Sequence, residues 1–181
     1  MTRFGYVMTT SFSVLLIGAL SFIPITPRLL WNASASTPVG LYSLDRPSQL
    51  ELTDLVAVEA PEPLASFLAE RRYLARGVPL LKRVAALPGQ QVCRTGARVT
   101  VDGIAMAEAL TRDRLGRDLP VWQGCRRIAG DEIFLMNWTV EDSLDGRYFG
   151  PVSRGAVIGR ARPFYTDDDG DGRFEWRAAT R

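Results

Sequence analysis

The sequence predicts a mostly β protein: an antiparallel β core with one short helix, preceded by an N-terminal transmembrane helix. Three observations predict it. The 24 residues between Arg3 and Arg28 carry no charge, and about 20 apolar residues are enough to span a bilayer. Beyond residue 38 the chain breaks into short apolar runs punctuated by turn pairs such as Pro88-Gly89, Asp102-Gly103 and Asp145-Gly146, the pattern of short paired strands. Only one stretch, 63–76, places Leu64, Phe67, Leu68 and Leu74 at helical intervals.

The elements follow in order. Residues 1–30 form the anchor, apolar over 4–26, with Thr9, Thr10 and Ser11 diluting its first half and Trp31 suited to the interface. The competing reading is a cleaved secretory signal, because Ala33-Ser34-Ala35 has the small-x-small form of a cleavage site. Against it, the apolar run exceeds the usual signal core, and Pro27, Arg28 and Trp31 separate the run from that site. A folded domain, 31–165, carries strands at 40–44, 55–59, 91–93, 98–101, 132–136 and 156–159, with the helix 63–76 between the second and third. An acidic tail, 166–181, closes the chain.

Composition bounds the chemistry. Of 22 Lys and Arg residues, 21 are Arg, and there is no His. Lys82 is therefore the sole side-chain amine, and triads or pairs built on His are excluded. A net charge of +2, with Arg scattered along the chain, gives no case for nucleic acid. Two Cys and no His cannot supply a usual zinc site, and no cofactor is expected. Cys93 and Cys125 form an even pair in a domain that would lie outside the cytoplasm, which favours one disulfide; two buried free thiols are the alternative.

Three segments carry candidate chemistry. Ser36 lies in Ser34-Ala35-Ser36-Thr37-Pro38-Val39-Gly40-Leu41-Tyr42, a bend that exposes a hydroxyl; on those residues alone it reads as a plain turn serine. Lys82 is the one amine within the apolar run Leu80-Leu81-Lys82-Arg83-Val84-Ala85-Ala86. Burial would lower its pKa and make it a base; a snorkelling lysine on an edge strand is the plain alternative. In Glu141-Asp142-Ser143-Leu144-Asp145-Gly146-Arg147, alternation along an extended segment puts Ser143, Asp145 and Arg147 on one side. A surface turn with an Asp–Arg pair would look the same.

Together these segments resemble the Ser-Lys signal peptidases (type I signal peptidase-like), in their conjugative-transfer, TraF-type branch. The ordered match runs through the anchor, the Ser36 box, Lys82-Arg83-Val84 followed by Leu87-Pro88-Gly89, and Ser143-x-Asp145-Gly146-Arg147-Tyr148-Phe149-Gly150. Pro38 two residues after Ser36, and Gly116-Arg117-Asp118-Leu119-Pro120 followed by Trp122, are similar to the transfer branch. The resemblance departs at Asn137-Trp138-Thr139-Val140, where general signal peptidases carry Gly-Asp-Asn-Arg.

The resemblance implies a signal-peptidase-like β core and a serine-type peptide-bond hydrolase. Ser36 would be the nucleophile and Lys82 its neutral base. The Ser36 backbone N–H and the Ser34 hydroxyl would form the oxyanion hole, Ser143 would hold the Lys82 amine, and Asp145 and Arg147 would support that wall. The substrate would be an exported protein such as a conjugative propilin, bound as an added extended strand. Hydrolysis and cyclisation would share one acyl-enzyme. The setting implied is a bacterial inner membrane, single-pass, with the catalytic domain in the periplasm. Ser36 lies about ten residues past the apolar run, so at most ~35 Å of chain separates it from the membrane. A general signal peptidase and a non-catalytic scaffold of a transfer assembly are the alternatives.

The tail motif Asp167-x-Asp169-x-Asp171-Gly172 matches the first half of an EF-hand loop, but Ala178 stands where the bidentate Glu belongs. A solvated acidic turn with no metal is therefore the expectation; a calcium loop with Glu175 as a partial substitute ligand is the alternative.

Overall fold

The computed structural model describes residues 2–21, 28–46 and 49–178. Its α-helices are α1 (Arg3–Ser21), α2 (Leu64–Glu70) and α3 (Gly146–Phe149). The strands are β1 (Leu29–Asn32), β2 (Val39–Asp45), β3 (Leu55–Val58), β4 (Leu80–Ala86), β5 (Gln91–Thr95), β6 (Arg98–Val101), β7 (Ile104–Glu108), β8 (Gly124–Arg127), β9 (Glu132–Leu135), β10 (Val152–Ser153), β11 (Val157–Asp167) and β12 (Glu175–Trp176).

All the strand pairs are antiparallel. The larger sheet runs β1-β2-β11-β3-β4-β9-β10, with β12 on β11, and the smaller runs β7-β6-β5-β8. β3 is buried at all four positions, because both faces of the sheet are covered there. Leu55 and Ala57 join Tyr42, Leu44, Leu81 and Ala161 on one side. Val56 and Val58 join Val84, Ile133 and Leu135 on the other. A third cluster, with Ala86, Val92, Val99, Ile128, Phe134 and Met136, ties the two sheets together.

β11 is the longest strand and bridges β2 and β3. Its pairing with β2 shifts between Pro163 and Tyr165, where a proline without an N–H is accommodated at a bulge. Where β11 crosses β2, Gly40 has φ 148°, and a Cβ there would lie 2.3 Å from the Tyr165 carbonyl oxygen. Only glycine fits that crossing.

The expected anchor runs past the described residues, and two other expectations change. Among the described residues no helix is long and apolar enough to cross a membrane. α1 ends at Ser21, its middle is diluted by Thr9, Thr10, Ser11 and Ser13, and the remainder of the expected span falls on residues outside those described. The helix expected at 63–76 stops at Glu70, and a turn with Arg72 at φ 59° follows it. The segment read as extended around Ser143, Asp145 and Arg147 is instead a turn leading into α3. Asp145 is the N-cap, its carboxylate accepting from the Arg147 N–H, and an N-cap aspartate starts a helix because it satisfies an otherwise unpaired donor.

Candidate active site

Ser36 sits in the loop joining β1 and β2, and the loop is held from inside. Asn32 Nδ2 donates to the carbonyl oxygens of Ser34 at 2.9 Å, Thr37 at 3.0 Å and Pro38 at 3.0 Å, while its Oδ1 accepts from the Ser34 N–H at 3.0 Å. The buried Tyr42 phenol donates to the Pro38 carbonyl at 2.7 Å, and burial pushes its pKa up. The bend is thus a built feature, with the Ser36 side chain half-buried at its tip.

Lys82 lies on β4 opposite Val56, with Val84 two residues along. Its neighbours on that face are apolar, and the residue is 4% exposed. In the strand order β11 and β3 lie between β2 and β4; curling of the sheet and the long Lys82 stem close the gap. Lys82 Nζ reaches Ser36 Oγ at 3.3 Å and Ser143 Oγ at 2.9 Å. Burial lowers its pKa from 10.5 to about 8, with Asp145 opposing the shift, Arg147 adding to it and Asp142 opposing. At neutral pH about a tenth of such amines are unprotonated, against a negligible fraction for an exposed lysine.

Ser34 Oγ lies 2.9 Å from Ser36 Oγ and accepts from the Ser36 N–H at 3.3 Å. The two expected oxyanion donors are therefore adjacent and facing one another.

Arg147 is fully buried and forms a two-pronged ion pair with Asp145, through Nε and Nη2 at 2.9 Å each. Its remaining donors hold the carbonyl oxygens of Val140 at 2.6 Å, Glu141 at 2.9 Å and Ser143 at 3.1 Å. The guanidinium therefore fixes the loop that presents Ser143. A buried pair of this kind is strongly destabilising to break. Arg94, also buried, donates to the Arg147 carbonyl at 2.6 Å. Arg94 follows Cys93, which pairs with Cys125 across β5 and β8 in a disulfide.

The structure thus gathers Ser34, Ser36, Lys82, Ser143, Asp145 and Arg147 at one place, and sets the disulfide in the smaller sheet. Sequence reading missed Asn32, Arg94 and Asn137. Asn137 bonds the Ser36 carbonyl; its visible signals were a polar residue immediately after the apolar run Ile133-Phe134-Leu135-Met136 and its place at the start of the departure from the general signal-peptidase pattern.

A cleft of about 310 Å³ opens beside Ser36, lined by Pro38, Val39, Arg83, Asn137, Thr139 and the acidic turn at Asp167, among others. A larger hollow of about 440 Å³ lies against α2, by Pro61, Leu68, Leu74 and Val78; it holds none of the serine or lysine side chains above. The Asp167 carboxylate accepts from the backbone N–H groups of Asp171 and Gly172 at 3.1 and 3.0 Å, closing the turn on itself. Among the described residues no group of three or more Cys, Asp or Glu is placed to hold a metal ion.

Residues 2–166 match the family described as signal peptidase, peptidase S26. A plasmid transfer protein TraF of Escherichia coli is 35% identical over 145 residues, 75% of this chain and 81% of that one. A conjugal transfer protein TraF of Agrobacterium fabrum (strain C58) is 31% identical over 149 residues, 76% of this chain and 82% of that one. Among solved structures, a signal peptidase I from Enterococcus faecalis V583 is 20% identical with a TM-score of 0.39, covering 65% of this chain and 98% of that one. The chain belongs to the signal peptidase family, peptidase S26, in its TraF branch.

Proposed function

We propose that the chain is a membrane-anchored serine endopeptidase that cuts an exported protein, such as a conjugative propilin, close to the membrane surface. One observation carries this reading: the only lysine in the chain is buried, its amine bridges Ser36 Oγ and Ser143 Oγ, and its pKa falls to about 8. The conjugal-transfer names of the relatives support the substrate class.

The reaction follows from these groups. The neutral Lys82 amine takes the Ser36 hydroxyl proton as Oγ bonds to the scissile carbonyl carbon. Negative charge gathers on the carbonyl oxygen, and the Ser36 N–H and Ser34 hydroxyl turn from one another to it. The C–N bond breaks, and the Lys82 ammonium gives its proton to the departing amine, leaving an ester on Ser36. Water, deprotonated by Lys82, or the amine of a peptide chain then attacks that ester and restores the Ser36 hydroxyl. Ser143 keeps the Lys82 amine on the Ser36 side throughout. The anchor is assigned to the apolar stretch 4–26, and the disulfide suits a domain on the periplasmic side.

The test is cleavage of a propilin carrying a small-x-small site, in membranes, by the parent chain and by Lys82→Arg. Cleavage by the parent alone is expected, since Arg stays charged and cannot act as a base. Equal cleavage by both would refute the dyad. Cleavage by neither, with a general preprotein also left intact, would favour a non-catalytic scaffold.

A further inference from the structure

The Asn137 side chain stands where the backbone of β9 would have continued beside β4. The ladder between these strands pairs Ala86 with Phe134 and Val84 with Leu135, and the Met136 N–H donates to the Arg83 carbonyl at 2.9 Å. There the backbone pairing ends and the carboxamide takes over. Oδ1 accepts from the Arg83 N–H at 3.1 Å, and Nδ2 donates to the Leu81 carbonyl at 3.2 Å. Those two groups belong to the peptide bonds on either side of Lys82, so the amide holds the Lys82 backbone from both directions.

The same Nδ2 donates to the Ser36 carbonyl at 2.7 Å and lies 3.3 Å from Thr37 Oγ1. One planar group thus bonds the backbone of the serine loop and the backbone of the lysine strand. It is itself fixed. Asn137 is buried, its N–H donates to Asp145 Oδ2 at 3.1 Å, and its carbonyl accepts from Arg147 Nη2 at 3.4 Å. Asp145 and Arg147 therefore act on both sides of Lys82: through Ser143 on one, and through Asn137 on the other.

We infer that Asn137 is a positioning residue that sets the Ser36–Lys82 separation by tying the two backbones together; this rests on the Ser-Lys reading above. A displacement of about 1 Å between reacting groups can cost about 10²-fold in rate. Removing the tie should therefore lower kcat by about 10²-fold, with little change in KM.

Lys82 offers a direct readout, because it gives the only side-chain signal in a full-length protein made with ¹³Cε-lysine. Ser36→Ala removes one partner of Nζ and should move the Lys82 titration midpoint. The same change made together with Asn137→Ala should leave the midpoint where Asn137→Ala alone puts it, because Ser36 is no longer held at the amine. Cleavage of a synthetic peptide with Ala-x-Ala before the scissile bond should fall in kcat in the Asn137→Ala chain. Asn137→Asp, which keeps the shape and the acceptor but loses both donors, replaces Asn137→Ala if that variant unfolds. A Ser36→Ala shift of equal size with and without the Asn137 amide overturns the inference. If Ser36→Ala moves nothing in the otherwise unchanged chain, the Ser-Lys contact itself fails and the inference falls with it.

Discussion

Replacing Lys82 with methionine should make the stability of the protein respond differently to pH. The fold holds the amine at about 8 against an ordinary 10.5, mainly by removing it from water. Between those values the unfolded chain binds more protons than the folded one, so the lysine's contribution to stability rises with pH through that window. Below about pH 8 the whole cost of burying the ammonium is present, about 3 kcal/mol. Methionine fills similar volume without a titrating group. It leaves the Ser36 and Ser143 hydroxyls without the amine, an offset that does not vary over this range. The stability of Lys82→Met minus that of the parent is therefore greatest at low pH, and should shrink by roughly 2 kcal/mol between about pH 6 and 9.5. Urea unfolding of both full chains, followed by tryptophan fluorescence at several pH values, measures it; taking the difference cancels titrations common to both. A difference that stays flat across that range would refute the argument that burial depresses this amine.

Other outcomes follow from the same geometry. Because the base must be neutral, kcat/KM should climb with pH along an acid limb centred near 8; a pH profile already level at pH 6.5 would contradict the assignment of Lys82. A Cβ at Gly146 would lie 2.6 Å from Phe134 Cε2 and 2.7 Å from the Leu135 carbonyl oxygen. Gly146→Ala should thus destabilise by about 1–3 kcal/mol and lower activity as Asp145 and Arg147 shift, read by denaturation and cleavage together. Breaking the Cys93–Cys125 bond, which spans a sequence separation of 32 residues, should cost about 3–4 kcal/mol on the chain-entropy account. A Cys93→Ser/Cys125→Ser chain compared with the oxidised parent checks this, and equal urea midpoints would count against it.

Much of the larger sheet was legible because its strands carry buried side chains. β3 and β4 are apolar runs, and β2 alternates half-buried and buried positions, which sequence patterns report directly. β8 was invisible for the opposite reason: Gly124, Cys125, Arg126 and Arg127 are all exposed, and only pairing with β5 makes them a strand. β7 shows the same limit, although the turn before it was readable. Asp102 and Gly103 both have positive φ, at 48° and 82°, as a two-residue hairpin turn requires. The residues of the site were legible through motif order, but the manner of their meeting was not. Ser143, Asp145 and Arg147 converge through a capped helix instead of through strand alternation. Asn137 and Arg94 act across 101 and 53 residues of sequence, a separation over which no local pattern carries information.

The loop that presents Ser36 also carries Ala33-Ser34-Ala35, the small-x-small form expected of the substrate. A protease acts on a peptide bond laid out straight along its cleft, and this one is bent away from that shape. Four hydrogen bonds to the Asn32 carboxamide, three donated by Nδ2 and one accepted by Oδ1, hold the backbone from Ser34 to Pro38 as a tight arch. On the function proposed above, a small-x-small sequence thus lies beside Ser36 in a form that cannot be threaded, and self-cleavage there would first require that arch to open.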